Sequence, residues 1–157
     1  MLNDELKGQI QTAYRTFLEN KSLKPRYGQR VMIAEVAKVF GNVALDEEGH
    51  RDGDPAVAVI EAGTGTGKTV AYCLAAIPIA RHLGKPLVIS TATVALQEQI
   101  VLKDLPDILR NSGLKFGFSL AKGRGRYVCL AKLDNLLREN QSMADQQQIF
   151  ADDGFRI

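Results

Sequence analysis

The octapeptide Ala62-Gly63-Thr64-Gly65-Thr66-Gly67-Lys68-Thr69 alternates glycine with threonine and ends on a cation and a hydroxyl. Glycines let a backbone wrap closely, so that successive N–H groups point inward at an anion. The pattern is that of a Walker A loop, G-x-x-x-x-G-K-[ST], with Ala62 in place of the first glycine. Alanine is the smallest residue with a Cβ, so the departure is mild. In such a loop Lys68 reaches the β- and γ-phosphates of a nucleotide, and Thr69 gives its hydroxyl to Mg²⁺. The positive end of the following helix dipole adds to the same field. The chemistry implied is binding of ATP with Mg²⁺.

That loop needs a strand before it and a helix after it. Ala56-Val57-Ala58-Val59-Ile60 is a short β-branched run of the kind buried on both faces of a sheet. A helix is predicted from about Lys68 to Leu83, closed by Gly84 and Pro86. Leu87-Val88-Ile89-Ser90 reads as a second buried strand, Val94 to Lys103 as a helix, Leu105 to Arg110 as a shorter one, and Phe116 to Leu120 as a third strand. Strand, helix, strand, helix, strand is the order of a parallel α/β sheet. Upstream, Leu6, Ile10, Ala13, Tyr14, Phe17 and Leu18 recur at helical spacing. A second helix is expected from Gln29 to about Phe40, with Val31 to Ala34, Val36, Ala37 and Phe40 on its buried side. Gly41 to Pro55 reads as a turn-rich surface excursion, and a polar tail begins near Arg138.

A phosphate cradle becomes an ATPase when an acidic residue at the end of a strand holds the metal and orients water. Asp46-Glu47-Glu48-Gly49-His50 has the composition for this, but it precedes the loop and follows no apolar strand. It reads as a solvated acidic loop, and no other Asp-Glu pair follows an apolar strand. Of the two cysteines, Cys73 sits among apolar residues of the helix after the loop and reads as a buried structural thiol. On spacing alone Cys129, ahead of Leu130, Leu133, Leu136 and Leu137, would also be a core residue. Gly113 to Leu133 carries five basic residues and no acid, whereas the stretch from Glu139 onward carries four acids against Arg156. The first of these suits an anionic partner.

Four segments in order carry a resemblance: Arg26-Tyr27-Gly28-Gln29-Arg30, Glu61 to Thr69, Ser90-Thr91-Ala92-Thr93-Val94-Ala95-Leu96-Gln97-Glu98-Gln99, and Lys122-Gly123-Arg124-Gly125-Arg126-Tyr127-Val128-Cys129. Together they resemble the N-terminal part of the DinG family of DNA helicases, relatives of the XPD group, over nearly everything from Leu6 to Leu137. The resemblance implies a P-loop NTPase fold, a RecA-like parallel sheet flanked by helices, of which this chain would be part of the first motor domain. It implies residues 1–54 as a helical segment with an adenine-reading Q motif, 55–128 as the first part of the ATP-binding domain, and 129–157 as the start of an iron–sulfur domain with a polar tail. Arg26 and Gln29 would then serve the nucleotide, and the Gln29 amide can pair with both the donor and the acceptor edge of adenine. Thr91, Thr93 and Gln97 would meet a DNA phosphate where open α/β sheets place their ligands, although a threonine there is also an ordinary helix cap. Arg124 and Arg126 would contact DNA, with Tyr127 offering a stacking surface.

Cys129 matches the first ligand of a 4Fe–4S cluster, which needs four thiolates and so belongs to the full-length protein. Full members also carry two motor domains, a D-E-x-H box and an arginine-bearing motif absent here. The expectation is therefore an N-terminal ATP-binding fragment of a 5′–3′ DNA helicase acting on single-stranded or forked DNA, inactive alone. The alternatives are a non-catalytic nucleotide- and DNA-binding module and a self-contained P-loop kinase or small-molecule NTPase, the latter lacking a visible acidic strand end and substrate pocket. Length and composition agree: 157 residues, 45% hydrophobic and 24% charged, suit a folded chain with a core, and the net charge of +2 is uninformative. No apolar run reaches the roughly 18 residues of a membrane span. An acidic start without an apolar core argues against a signal peptide, and two cysteines make no disulfide framework, so a cytoplasmic location is expected.

Overall fold

The structure, a computed structural model, describes residues 2–140 and divides into two compact units, Met1–Ser119 and Leu120–Ile157. The greater part of the acidic, polar tail lies outside the described residues.

In the first unit, helix α1 spans Asp4–Asn20 and α2 spans Tyr27–Phe40. The Asn3 side chain accepts from the Leu6 amide at 2.8 Å, and Asp4 and Glu5 follow in the first turn, which suits the positive end of the α1 dipole. Helix α3, Lys68–His82, carries the weight of the core. Its residues Ala71, Cys73, Leu74, Ala75, Ala76, Ile77, Pro78 and Ile79 are all buried, the signature of a helix covered on several sides. One cluster joins α3 to Leu6 and Ile10 of α1 and to Met32, Ile33, Val36 and Ala37 of α2. Another joins it to Ala13, Phe17, Ile100, Leu105 and Ile108.

Downstream, α4 (Val94–Gln99), a π-helical turn (Ile100–Asp104) and α5 (Leu105–Asn111) form a continuous helical run. The Leu105 amide bonds back to the Ile100 carbonyl. The widened turn lies just ahead of Pro106, which has no N–H to give to the Leu102 carbonyl and whose ring would crowd it in a straight α-helix. Lys21 pairs with Asp107 at 3.0 Å and Asn20 donates to the Asn111 carbonyl at 3.0 Å, fastening α5 to the end of α1.

The parallel sheet is not found among the described residues. The sheet present is a two-stranded antiparallel hairpin, β1 (Ala44–Leu45) with β2 (Arg51–Asp52). Residues 56–60, 87–90 and 116–120 carry no strand pairing, and Val57 (71%), Val88 (83%) and Val59 (94%) stand exposed. A strand exists by pairing, and successive strands of a parallel sheet need not be neighbours within it. Their composition speaks of the burial such segments favour and not of who their partner is. The α2 face is also narrower than expected. Val31, Ala34 and Phe40 are exposed, because the apolar residues from Val31 to Ala37 together with Phe40 cover more arc than one helix face can bury.

In the second unit a 3₁₀ turn, Arg124–Arg126, is followed by a helix over 130–140, here α6. Leu133 donates its amide to the Cys129 carbonyl at 3.0 Å as that helix begins, and Arg138 pairs with Asp134 at 3.0 Å one turn apart.

Candidate functional site

The glycine-rich loop feeds straight into α3. Gly67 is the N-cap of that helix with φ 77° and ψ 37°, a left-handed conformation in which a Cβ is strained, and Gly65 has φ 75°. No side chain caps the helix, whose first amides have no partner within it. The Ala71 amide closes the first turn on the Gly67 carbonyl at 3.0 Å. Lys68 folds over the loop, its Nζ donating to the Ala62 and Gly63 carbonyls at 2.8 Å each. Thr66 Oγ1 donates to the Gly63 carbonyl at 2.9 Å, holding the turn closed on itself. Thr64 is exposed at the tip. Thr69 hydrogen-bonds the Tyr72 phenol, whose proton affinity is raised chiefly by burial, with that bond acting against it.

Two residues of the α2 start reach this loop. Arg26 Nη1 donates to the Gly65 carbonyl at 2.8 Å. The Gln29 amide lies against Gly67 so closely that a Cβ there would overlap its Nε2. The structure therefore brings Arg26, Gln29 and the 62–69 segment together. Sequence reasoning missed the third member of this group, Tyr14, which it placed on the apolar face of α1. The Tyr14 hydroxyl accepts from the Arg26 amide at 3.3 Å and lies 3.2 Å from Gln29 Oε1. A hydroxyl-bearing ring on an otherwise apolar face was the available signal.

Thr93 is the N-cap of α4, its Oγ1 accepting from the Leu96 amide at 3.2 Å, while Thr91 Oγ1 donates to the Thr93 carbonyl at 3.1 Å. The ordinary capping role is thus present in Thr93. Gln97 is half-buried on the same helix. In the second unit, Arg124 and Arg126 are exposed on a tight loop. Tyr127 closes that loop by accepting the Lys122 amide on its hydroxyl at 2.8 Å, and the Arg126 amide bonds the Gly123 carbonyl at 2.9 Å.

The acidic Asp46–His50 segment is the tip of the β hairpin. Its Asp46 carboxylate accepts the His50 amide at 2.7 Å, and Gly49 makes the turn with φ 79°. The Asp46 amide also donates to the His50 carbonyl at 2.8 Å and the Gly49 amide to the Asp46 carbonyl at 3.0 Å, so the segment is a hydrogen-bonded turn. Contrary to the expectation from sequence, it does follow an apolar strand, the two-residue β1.

Cys73 is buried as its surroundings implied, whereas Cys129, a core residue by spacing alone, is exposed. Cys73 is wholly buried, and burial, with the Asp104 charge adding to it, pushes its thiol up from 9.0 to about 12. Native protein should therefore show one thiol reactive toward Ellman's reagent, the second appearing on unfolding. Two fast thiols would place Cys73 outside the core. The sign of the linkage follows: above 9.0 the unfolded thiol loses its proton before the folded one does, so this group makes stability fall as pH rises toward about 12. One exposed and one buried cysteine do not make the four-thiolate set of an iron–sulfur cluster, and no cluster of three or more metal-ligating side chains occurs among the described residues. No helix among them is long and apolar enough to cross a membrane.

No family model matches the chain. Curated proteins do. The chain is 43% identical over 150 residues to the ATP-dependent DNA helicase DinG of Photobacterium profundum, covering 94% of this chain and 20% of that protein. It is 43% identical over 145 residues to the protein of that name from Escherichia coli (strain K12), covering 92% and 19%. The corresponding Salmonella typhimurium protein is 42% identical over 145 residues. The family resemblance read from the motifs is borne out, and the chain spans about a fifth of the length of the curated relatives it matches.

Proposed function

We propose that this chain, a DinG-family sequence along nearly all of its length, is the nucleotide-binding part of an ATP-dependent DNA helicase. The observation that carries the reading is the meeting of a left-handed, uncapped helix start at Gly67, the Lys68 ammonium, and the Arg26 and Gln29 side chains around one loop. Phosphate oxygens would accept from the loop and first-turn amides, and Lys68 would exchange two carbonyl partners for charge-assisted bonds to phosphate. Thr69 is the residue that would hold Mg²⁺, which when bound neutralises charge on the phosphates. Gln29 would read the adenine edge, and Arg26 would hold the loop in register.

Segments 56–60, 87–90 and 116–120 are proposed to be strands of a RecA-like sheet whose partners lie outside these residues. The exposed valines of the first two support this, since a β-branched run gains from burial on both faces. Thr91, Thr93, Gln97, Arg124 and Arg126 are proposed as contacts to single-stranded or forked DNA, binding weakly and losing affinity as salt rises. Cys129 is proposed to give one thiolate to a cluster whose other ligands this chain does not supply. Translocation 5′ to 3′ and action in the cytoplasm complete the reading by family resemblance.

The Asp46-Glu47 pair is taken up in the hairpin turn and no other Asp-Glu pair follows an apolar run of the sequence, so the chain should bind nucleotide without turning it over. The test pairs equilibrium binding of a fluorescent ADP, displaced by ATP, with phosphate release in the presence and absence of single-stranded DNA. Saturable displacement with background release is expected. Robust DNA-stimulated release would show that the chain carries its own catalytic carboxylate.

A further inference from the structure

Tyr14 belongs to α1, yet its hydroxyl works at the start of α2. A main-chain N–H can only donate, so at 3.3 Å the Arg26 amide makes the Tyr14 oxygen an acceptor. The phenol has one proton, and that proton is left for the group on its other side, Gln29 at 3.2 Å. The amide of Gln29 must then turn its carbonyl oxygen to Tyr14. Its Nε2 is left facing Gly67 and the phosphate loop, where the structure has it. The ring itself is held, packed against both core clusters. One half-buried phenol therefore fixes the helix end that carries Arg26 and the polarity of the Gln29 amide.

We propose that Tyr14 is a positioning residue for the nucleotide base: by locking the orientation of the Gln29 amide it makes the site prefer adenine over guanine. Adenine presents an N6 donor beside the N7 acceptor, complementary to an amide's oxygen and nitrogen. Guanine presents O6 and N7, both acceptors, so an amide held with its oxygen in place opposes one of them. An amide free to turn over discriminates less. The inference rests on the nucleotide-site reading and deepens it by naming what sets the base preference.

The experiment is calorimetric titration of Mg·ADP and Mg·GDP into wild type, Tyr14→Phe, Gln29→Ala and the double variant. Tyr14→Phe keeps the ring in the core and removes the oxygen alone. ADP affinity should fall about fivefold, the worth of one hydrogen bond, while GDP affinity changes little, so the preference narrows. The double variant should bind ADP no more weakly than Gln29→Ala, because Tyr14 acts through Gln29. Urea denaturation of Tyr14→Phe reports its capping role separately, and a stability loss alone would lower both nucleotides equally. An unchanged ADP-to-GDP ratio in Tyr14→Phe, or additive losses in the double variant, would overturn the role of Tyr14 while the nucleotide site stands. Wild type binding neither nucleotide would overturn both.

Discussion

Gly67→Ala is expected to weaken Mg·ADP binding roughly 30- to 150-fold while leaving the helical core folded. Two costs combine at this position. A Cβ at φ 77° is strained by about 1–2 kcal/mol, and here it would also overlap Gln29 Nε2. The free loop escapes by relaxing away from the geometry that aims its amides, and nucleotide must restore that geometry to bind. Displacing Gln29 forfeits a further hydrogen bond of about 1 kcal/mol, and the total of about 2–3 kcal/mol gives the factor stated. Gly53→Ala is the matched control. Its φ is 90°, nothing lies within 4 Å of the added carbon, and it sits by the hairpin, so it should cost stability and leave ADP affinity unchanged. Equal affinities for wild type and Gly67→Ala would mean that the left-handed helix start does not organise the site.

The second large effect falls on stability. Leu74 has no exposed surface and lies in the cluster that joins α3 to Phe17, Ile100, Leu105 and Ile108. Leu74→Ala removes its buried side chain and leaves a cavity that packed helices close only in part, which costs about 2–5 kcal/mol. Native domains are stable by about 5–15 kcal/mol, so a marked fall in the urea midpoint is expected. Because α3 begins at the phosphate loop, the variant should also lose nucleotide binding at urea concentrations that wild type withstands. A loss below about 1 kcal/mol would show that α3 is not the centre of the core.

Local pattern made the helices legible. Leu6, Ile10, Ala13, Phe17 and Leu18 are the buried face of α1 that their spacing implied, and the α3 start follows from the phosphate loop itself. Pairing was not legible. A β-branched run such as Ala56 to Ile60 states a preference for burial, but a ladder needs a second strand at the right distance, which no local window contains. The hairpin escaped for a related reason: with two residues in each strand, Ala44-Leu45 and Arg51-Asp52 are too short to show alternation. The sequence pattern divides a helix from Val94 to Lys103 from one beginning at Leu105, whereas the structure runs them together through a π turn just ahead of Pro106. At the site, the motif placed Lys68 and Thr69, while the Tyr14–Gln29–Arg26 group depends on how α1 packs beside α2 and so lay beyond any spacing rule.

The loop from Ala62 to Thr69 is proposed to bind nucleotide through Lys68 and the start of α3. Calorimetric titration of Mg·ADP into wild type and Lys68→Ala tests it most directly. The Lys68 ammonium now rests on two loop carbonyls, and its transfer to phosphate makes charge-assisted hydrogen bonds worth about 1.5–3 kcal/mol. Wild type should bind one ADP per chain, and Lys68→Ala should bind at least about tenfold more weakly with an unchanged urea midpoint. Identical isotherms for the two proteins, or no binding by folded wild type, would contradict the account.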